Sequence, residues 1–421
     1  MPDATSARPS PTTTSPEPSL DELVERTLRA NWREGVHRDG TPYAYTCPST
    51  PRYRHQWHWD SCFHAIAWCR YDVARAREEL RTVLRGGRAD GFIPHTVFWH
   101  NHPRWRRAPL YATQTVRGNR HTTTIGPPLL PFAWERVAAA SADEPGFATE
   151  ALHALEAHLD WLDRERDVDG DGLITILLPD ESGIDDSPKY DPVYGPYAHY
   201  KPGYFRLVAR YGRLSWNAHA VVQAGHDMHV EDVWMNVAYA LSLRAMARLA
   251  GDDGYARRTQ RVESALLERC LDPASGLFFD LAGRSERQVP VSTWSALTPL
   301  LLTDLPEDVR RRLAEEHLLH PGRYGAAFGV PSVAMDEPSF KPGFDIWRTW
   351  RGPSWMNVAW LLLHPLRELG YSGEAARIAA GLVDAVGRDG LREYYDPRSG
   401  QGLAARGFAM SALVADMADQ D

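Results

Sequence analysis

The chain has 421 residues, of which 43% are hydrophobic and 24% charged, and a formal net charge of -8. The excess of acids argues against a nucleic-acid surface, and no stretch approaches the ~20 apolar residues that cross a bilayer. A soluble globular protein with one large core remains, and at this length one large domain is the expectation.

Residues 1–18 are rich in Pro, Ser and Thr and lack the apolar centre of a signal peptide, which reads as a disordered tail on a cytoplasmic protein. Order is expected from Ser19, where Ser19 and Glu22 form an S-x-x-E capping box ahead of Leu20, Leu23, Val24 and Leu28 at helical spacing. Amphipathic stretches follow around 61–86, 128–140, 146–164, 214–225, 231–250, 253–270, 292–302, 306–317, 353–369, 373–387 and 407–419. Long loops are expected at 33–60, 88–125, 165–213, 271–291 and 318–352, and loops of that length in a compact domain usually carry function. Strand-like alternation is confined to short pieces such as Leu173 to Leu178, so a parallel sheet is not expected. The turn Asp272-Pro273-Ala274-Ser275-Gly276 recurs as Asp396-Pro397-Arg398-Ser399-Gly400, which supports repeated hairpins. The expected architecture is all-α: one (α/α) barrel of paired helices over residues 19–421, with elaborated loops at one end.

Cys47, Cys62, Cys69 and Cys270 show no C-x-x-C metal pattern and read as reduced thiols. The loops concentrate aromatic residues, among them Tyr53, Trp57, Trp59, Trp99, Trp105, Tyr190, Tyr194, Tyr197, Trp347, Trp350 and Trp355. Flat aromatics beside carboxylates, amides and histidines suit sugar rings, which have an apolar face edged by hydroxyls.

Four segments carry the candidate chemistry. In His55-Gln56-Trp57-His58-Trp59-Asp60, Asp60 either caps a helix or accepts hydrogen bonds from sugar hydroxyls, with Trp57 and Trp59 as a subsite wall. The loop Asp180-Glu181-Ser182-Gly183-Ile184-Asp185-Asp186 places four carboxylates in seven residues, whose mutual repulsion should raise at least one pKa as a general acid requires. In Trp350-Arg351-Gly352-Pro353-Ser354-Trp355, Gly352 permits close backbone approach, and Arg351 either holds a carboxylate or ties two elements together. Glu393, in Arg392-Glu393-Tyr394-Tyr395, sits on a short extended stretch with no turn role of its own. Just before the acidic loop, Asp167-Val168-Asp169-Gly170-Asp171-Gly172 resembles the opening of a calcium loop. It closes on Leu178-Pro179 rather than on the Glu of an EF-hand, so an Asx- and Gly-stabilised turn is expected and no metal is assigned.

Taken together, these segments resemble the inverting (α/α)6-barrel glycosidases that include processing α-glucosidase I, trehalase and the bacterial mannosylglycerate and glucosylglycerate hydrolases, over roughly residues 20–419. The resemblance implies a six-hairpin toroid and a general acid at Asp185, within Glu181-Ser182-Gly183-Ile184-Asp185-Asp186-Ser187, with Asp186 its nearest competitor. It places the general base at Glu393, within the stretch through Tyr395, Pro397 and Gly400. It further implies substrate contacts from Trp57, Trp59, Asp60, His95, Trp350, Arg351, Gly352 and Trp355. Thr124-Ile125-Gly126-Pro127-Pro128 departs from the Thr-Gln-Pro-Pro of the short glycerate-glycoside enzymes, which bears on the sugar or aglycone rather than on the reaction.

The expected reaction is inverting hydrolysis of a small α-glucoside or α-mannoside such as glucosylglycerate or mannosylglycerate. It needs one protonated carboxyl at the glycosidic oxygen and one carboxylate activating water, and neither a metal nor an organic cofactor. The partner is thus a small sugar, with Arg206, Arg210, Arg213 or Arg351 as candidates for a glycerate carboxylate. Self-association into a homo-oligomer is left open. The rivals are a trehalase- or α-glucosidase-type disaccharide hydrolase, an epimerase or isomerase using His95, His219 or His226 as proton carriers, and a non-catalytic glycan binder.

Overall fold

The computed structural model describes residues 18–100, 120–195, 203–345 and 348–418. Its main helices, in chain order, are α1 (Leu20–Asn31), α2 (His58–Trp68), α3 (Val73–Gly86), α4 (Leu130–Ala140), α5 (Leu152–Arg166), α6 (Tyr204–Arg213), α7 (Val233–Ala250), α8 (Asp253–Ala265), α9 (Glu307–Arg312), α10 (Met356–Glu368), α11 (Ser372–Asp389) and α12 (Val414–Ala418). Two 3-10 helices, Trp294–Leu301 and Ala409–Leu413, complete the set.

Six of these elements form a closed ring. α2 packs on α4, α4 on α7, α7 on Trp294–Leu301, that segment on α10, α10 on Ala409–Leu413, and the last returns to α2. Outside the ring lie α3, α5, α8, the π-helical turn Leu313–Leu318 that continues α9, α11 and α1. Inner and outer elements alternate along the chain, so the inner ones run in the same direction. This is an (α/α)6 barrel, as expected.

Burial separates the two layers. Ten of the 11 residues of α2 and ten of the 13 of α10 are buried, whereas α8 buries five of 13, a single stripe. A helix facing solvent needs only one apolar stripe, whereas α2 is covered on nearly all sides and buries His58, Asp60, Ser61 and His64 along with its apolar residues.

The predicted stretch 61–86 divides into α2 and α3 because Asp72 caps a second helix, its carboxylate accepting from the Arg75 N–H at 3.2 Å. The region read as one loop, 165–213, contains α6, which buries Tyr204, Leu207, Val208 and Tyr211, an i, i+3, i+4, i+7 pattern. At the N-terminus the capping box forms as expected: Ser19 Oγ accepts from the Glu22 N–H and Glu22 Oε2 from the Ser19 N–H.

Strands are short and antiparallel among the described residues. They are β1 (Trp32–Val36), β2 (Pro42–Thr46), β3 (Gln56–Trp57), β4 (Thr96–Val97), β5 (Thr175–Ile176), β6 (Val230–Glu231), β7 (Asp280–Ala282), β8 (Arg287–Val289), β9 (Arg392–Tyr395) and β10 (Gly402–Arg406). They pair as β1-β2, β3-β4, β9-β10 and a four-stranded sheet β5-β6-β7-β8. β3 runs straight into α2, β6 leads through the capping Asp232 into α7, and Tyr395 of β9 exchanges backbone hydrogen bonds with Ser354 just before α10. The strands thus decorate one end of the barrel, where the inner elements begin.

All four cysteines are free thiols, three of them buried. No helix among the described residues is long and apolar enough to cross a membrane.

Candidate active site

Because the inner elements start at the same end, their first residues converge there. Trp57 and Trp59 open α2, Trp234 stands second in α7, Trp294 opens its 3-10 helix, Trp355 precedes α10 and Phe408 precedes the last 3-10 helix. Their rings form a continuous aromatic cluster: Trp59 to Trp234 at 6.1 Å between centroids, Trp234 to Trp294 at 5.0 Å, Trp294 to Trp350 at 6.2 Å and Trp355 to Phe408 at 6.2 Å. Trp350 and Trp355 stack at 4.0 Å with planes 5° apart, and Trp59 meets Trp350 at 5.9 Å. Trp57 joins through Tyr53, which also touches Phe408.

The four carboxylates of the acidic loop have separate duties. Asp180 accepts from the Tyr204 hydroxyl. Glu181 is fully buried and held by both guanidinium nitrogens of Arg166 at 2.8 and 2.7 Å, and it also accepts from the N–H groups of Leu177 and Ile125. Asp186 accepts from the Trp350 N–H at 2.8 Å, which ties the loop to the stacked tryptophans. Asp185 is half-buried, and its charge reaches both His95 and Glu393. Gly183 makes this path possible: its φ is +73°, and a Cβ there would come within 2.6 Å of the Trp59 indole.

Glu393 approaches from β9. Its Oε1 accepts from the Tyr53 hydroxyl at 2.9 Å and its Oε2 from the Ala405 N–H at 3.1 Å, across the β9-β10 hairpin. Burial pushes its carboxyl above the ordinary glutamate range, with the Asp185 charge adding to the rise, while the two donors and Arg52 oppose it. Asp60, in the first turn of α2, is raised to about 7, first by burial and further by the charge on Glu393.

His95 is half-buried among Asp180, Asp185 and Glu181, and burial lowers its pKa despite those charges. Arg351 is engaged bidentately by Asp191 at 2.7 and 2.9 Å, so it ties its loop to the segment after the acidic loop. The Gly352 N–H donates to Ser332 Oγ at 2.9 Å, and with φ at +144° a Cβ would lie 2.9 Å from the backbone of Lys341 and Pro342. That is the close approach expected of this glycine. Ile125 and Gly126 join the acidic loop to α2, the former through Glu181 and the latter against His58.

The model of the mannosylglycerate hydrolase MGH1-like glycoside hydrolase domain matches residues 53–411. The chain belongs to that family. A mannosylglycerate hydrolase from Thermus thermophilus is 30% identical over 406 residues, spanning 88% of this chain and 96% of that enzyme. A glucosylglycerate hydrolase from Mycolicibacterium hassiacum is 27% identical, spanning 84% and 89%. The crystal structure of a GH63 mannosylglycerate hydrolase from Thermus thermophilus in complex with Tris and D-glycerate superposes with a TM-score of 0.83 at 28% identity, covering 94% of this chain and 99% of that one. As a member of the MGH1-like family the protein is a glycoside hydrolase.

The barrel brings together Trp57, Trp59, Asp60, His95, Asp185, Trp350, Trp355 and Glu393, whereas Arg351 and Gly352 stand behind them in loop-holding contacts. Trp99 belongs elsewhere: it stacks on Tyr43 at 5.4 Å and donates to Gln56. Trp105, Tyr197 and Trp347 lie outside the described residues. Sequence reading assigned no role to Tyr53 as a Glu393 partner or to Trp294. Trp294 carried a usable signal, because an aromatic recurs at or next to the start of successive inner helices.

Proposed function

We propose that the protein hydrolyses a small α-mannoside or α-glucoside of glycerate with inversion, Asp185 protonating the leaving oxygen and Glu393 activating water. The observation that carries this reading is that Glu393 and the half-buried Asp185 lie close enough for the Asp185 charge to be felt at Glu393, beside the tryptophans at one end of the barrel. One of them, Glu393, is fixed by two donors that favour an ionised, proton-accepting oxygen. The substrate class follows the relatives, which are named for mannosylglycerate and glucosylglycerate. A screen of mannosylglycerate, glucosylglycerate, trehalose, kojibiose and nigerose should show turnover of a glycerate glycoside. Proton NMR should show the β-anomer of the released sugar first. Activity confined to trehalose, or first release of the α-anomer, would overturn the reading.

Arg52 is our choice for the glycerate carboxylate. Its guanidinium lies 5.3 Å over the Tyr53 ring, and its charge is felt at Glu393, so it stands beside the site rather than in its wall. With Arg351 occupied by Asp191, Arg52 is the better placed cation. Arg52→Ala should raise KM for a glycerate glycoside roughly 10-fold or more, the worth of a charged hydrogen bond, while leaving KM for an uncharged aglycone near that of the wild type. Equal changes for both substrates would remove Arg52 from that role.

A further inference from the structure

The loop between α5 and β5 folds like the first half of an oxygen-ligand cation loop. Asp167 accepts from the N–H groups of Gly170 and Gly172 at 2.9 and 3.1 Å, and Asp171 accepts from the Leu173 N–H at 2.7 Å. The expected Asx turn is therefore present. It gathers carboxylate oxygens of Asp167, Asp169 and Asp171 within 4.8 Å of one another.

Those turn bonds leave Glu231 unexplained. It sits on β6, opposite Thr175 of β5, is 5% exposed, and its Oε2 has no hydrogen-bond partner. An oxygen of its carboxylate lies within 4.8 Å of those of Asp169 and Glu286, so Asp169 is common to both clusters. Arg261 pairs with Asp167, and Arg269 with Asp171 and Glu286. Among the described residues neither Asp169 nor Glu231 has a guanidinium partner. With all groups ionised, five carboxylates and two guanidiniums leave three negative charges, and burying an uncompensated carboxylate is costly.

We propose that Asp167, Asp169, Asp171 and Glu231, supported by Glu286, bind one divalent cation, calcium in preference to magnesium. In an EF-hand, positions 1, 3 and 5 supply carboxylates, position 6 is glycine, and a later glutamate in the same loop completes the shell. Here Asp167, Asp169, Asp171 and Gly172 fill the early positions, and the glutamate comes from the neighbouring strand instead. Several carboxylates in an irregular array suit the six to eight flexible ligands of calcium better than the strict octahedron of magnesium. The bound ion clamps β5 to β6 at the base of the segment that continues to Asp185. It takes no part in the chemistry.

The test is calorimetric titration of the full chain, stripped with EDTA and desalted, with calcium chloride and in parallel with magnesium chloride. One calcium ion per chain is expected, together with a rise in Tm of about 3 °C or more at saturating calcium. Asp169→Asn and Glu231→Gln should each weaken calcium binding by about 10-fold or more. Asp169 is exposed, so its variant tests the site even if Glu231→Gln does not fold. A wild-type chain that takes up no calcium, or an Asp169→Asn chain that binds it as tightly as wild type, overturns the proposal. Magnesium binding as tight as calcium binding overturns the stated preference.

Discussion

Asp185→Asn should lower kcat on a glycerate glycoside by about 100- to 10,000-fold, the range in which a positioned general acid contributes, with CD spectrum and Tm close to those of wild type. The fold should tolerate the change because the loop is anchored by its neighbours. Glu181 holds Arg166 and two backbone N–H groups, Asp180 takes the Tyr204 hydroxyl, and Asp186 takes the Trp350 N–H. Asn is isosteric but carries no acidic proton. The chemical signature is substrate dependence. A glycosyl fluoride departs without protonation, so the variant should keep most of its activity on the matching α-fluoride. An equal loss on fluoride and glycerate glycoside would show that Asp185 acts otherwise than as the acid. Near-wild-type turnover of the natural glycoside would remove it from catalysis altogether. Asp186→Asn is the informative companion: it weakens the tie to Trp350, and its loss should not be relieved by the fluoride.

The barrel was legible because helical periodicity is a local property. Leu20, Leu23, Val24 and Leu28 announce α1, and the apolar inner helices announce themselves by burial on every side. What could not be read was set at a distance. α2 ends at Trp68, and Asp72 starts the next helix by turning its side chain back on the Arg75 N–H, with neither Gly nor Pro at the junction to mark the break. Tyr53 and Glu393 are 340 positions apart, and only closure of the ring makes them a pair. The acidic loop was found by its density of carboxylates, yet density does not say which of them is already bonded. Arg166 and Tyr204 decide that, from helices on either side. Arg351 shows the same limit: its charge was visible, but the carboxylate that claims it, Asp191, was not assigned.

Glu393→Gln should be as damaging as the acid variant, about 100- to 10,000-fold in kcat, but without relief on a glycosyl fluoride, since water must still be deprotonated. Its environment fits the proposed role and keeps the structural cost small. Tyr53 and the Ala405 N–H both donate to Glu393, an arrangement an ionised carboxylate satisfies with its two oxygens. A glutamine can accept from the Ala405 N–H with its oxygen and donate from its amide to a Tyr53 hydroxyl turned to accept, so two charged bonds become two neutral ones, at a cost of about 1–3 kcal/mol of stability. The pH profile follows from the same contacts. Burial raises the Glu393 carboxyl, and the base works only when ionised, so wild-type kcat/KM should fall on the acidic side at a pH higher than an ordinary glutamate would give. Asp60, raised to about 7 by burial and in part by the charge on Glu393, ionises after it, so Asp60→Asn should leave the Glu393 limb where it is and remove only a further step near pH 7. An acidic limb that moves to lower pH in Asp60→Asn would show instead that Asp60 is already charged while Glu393 titrates. A Glu393→Gln chain that hydrolyses the fluoride as fast as wild type would displace Glu393 as the base.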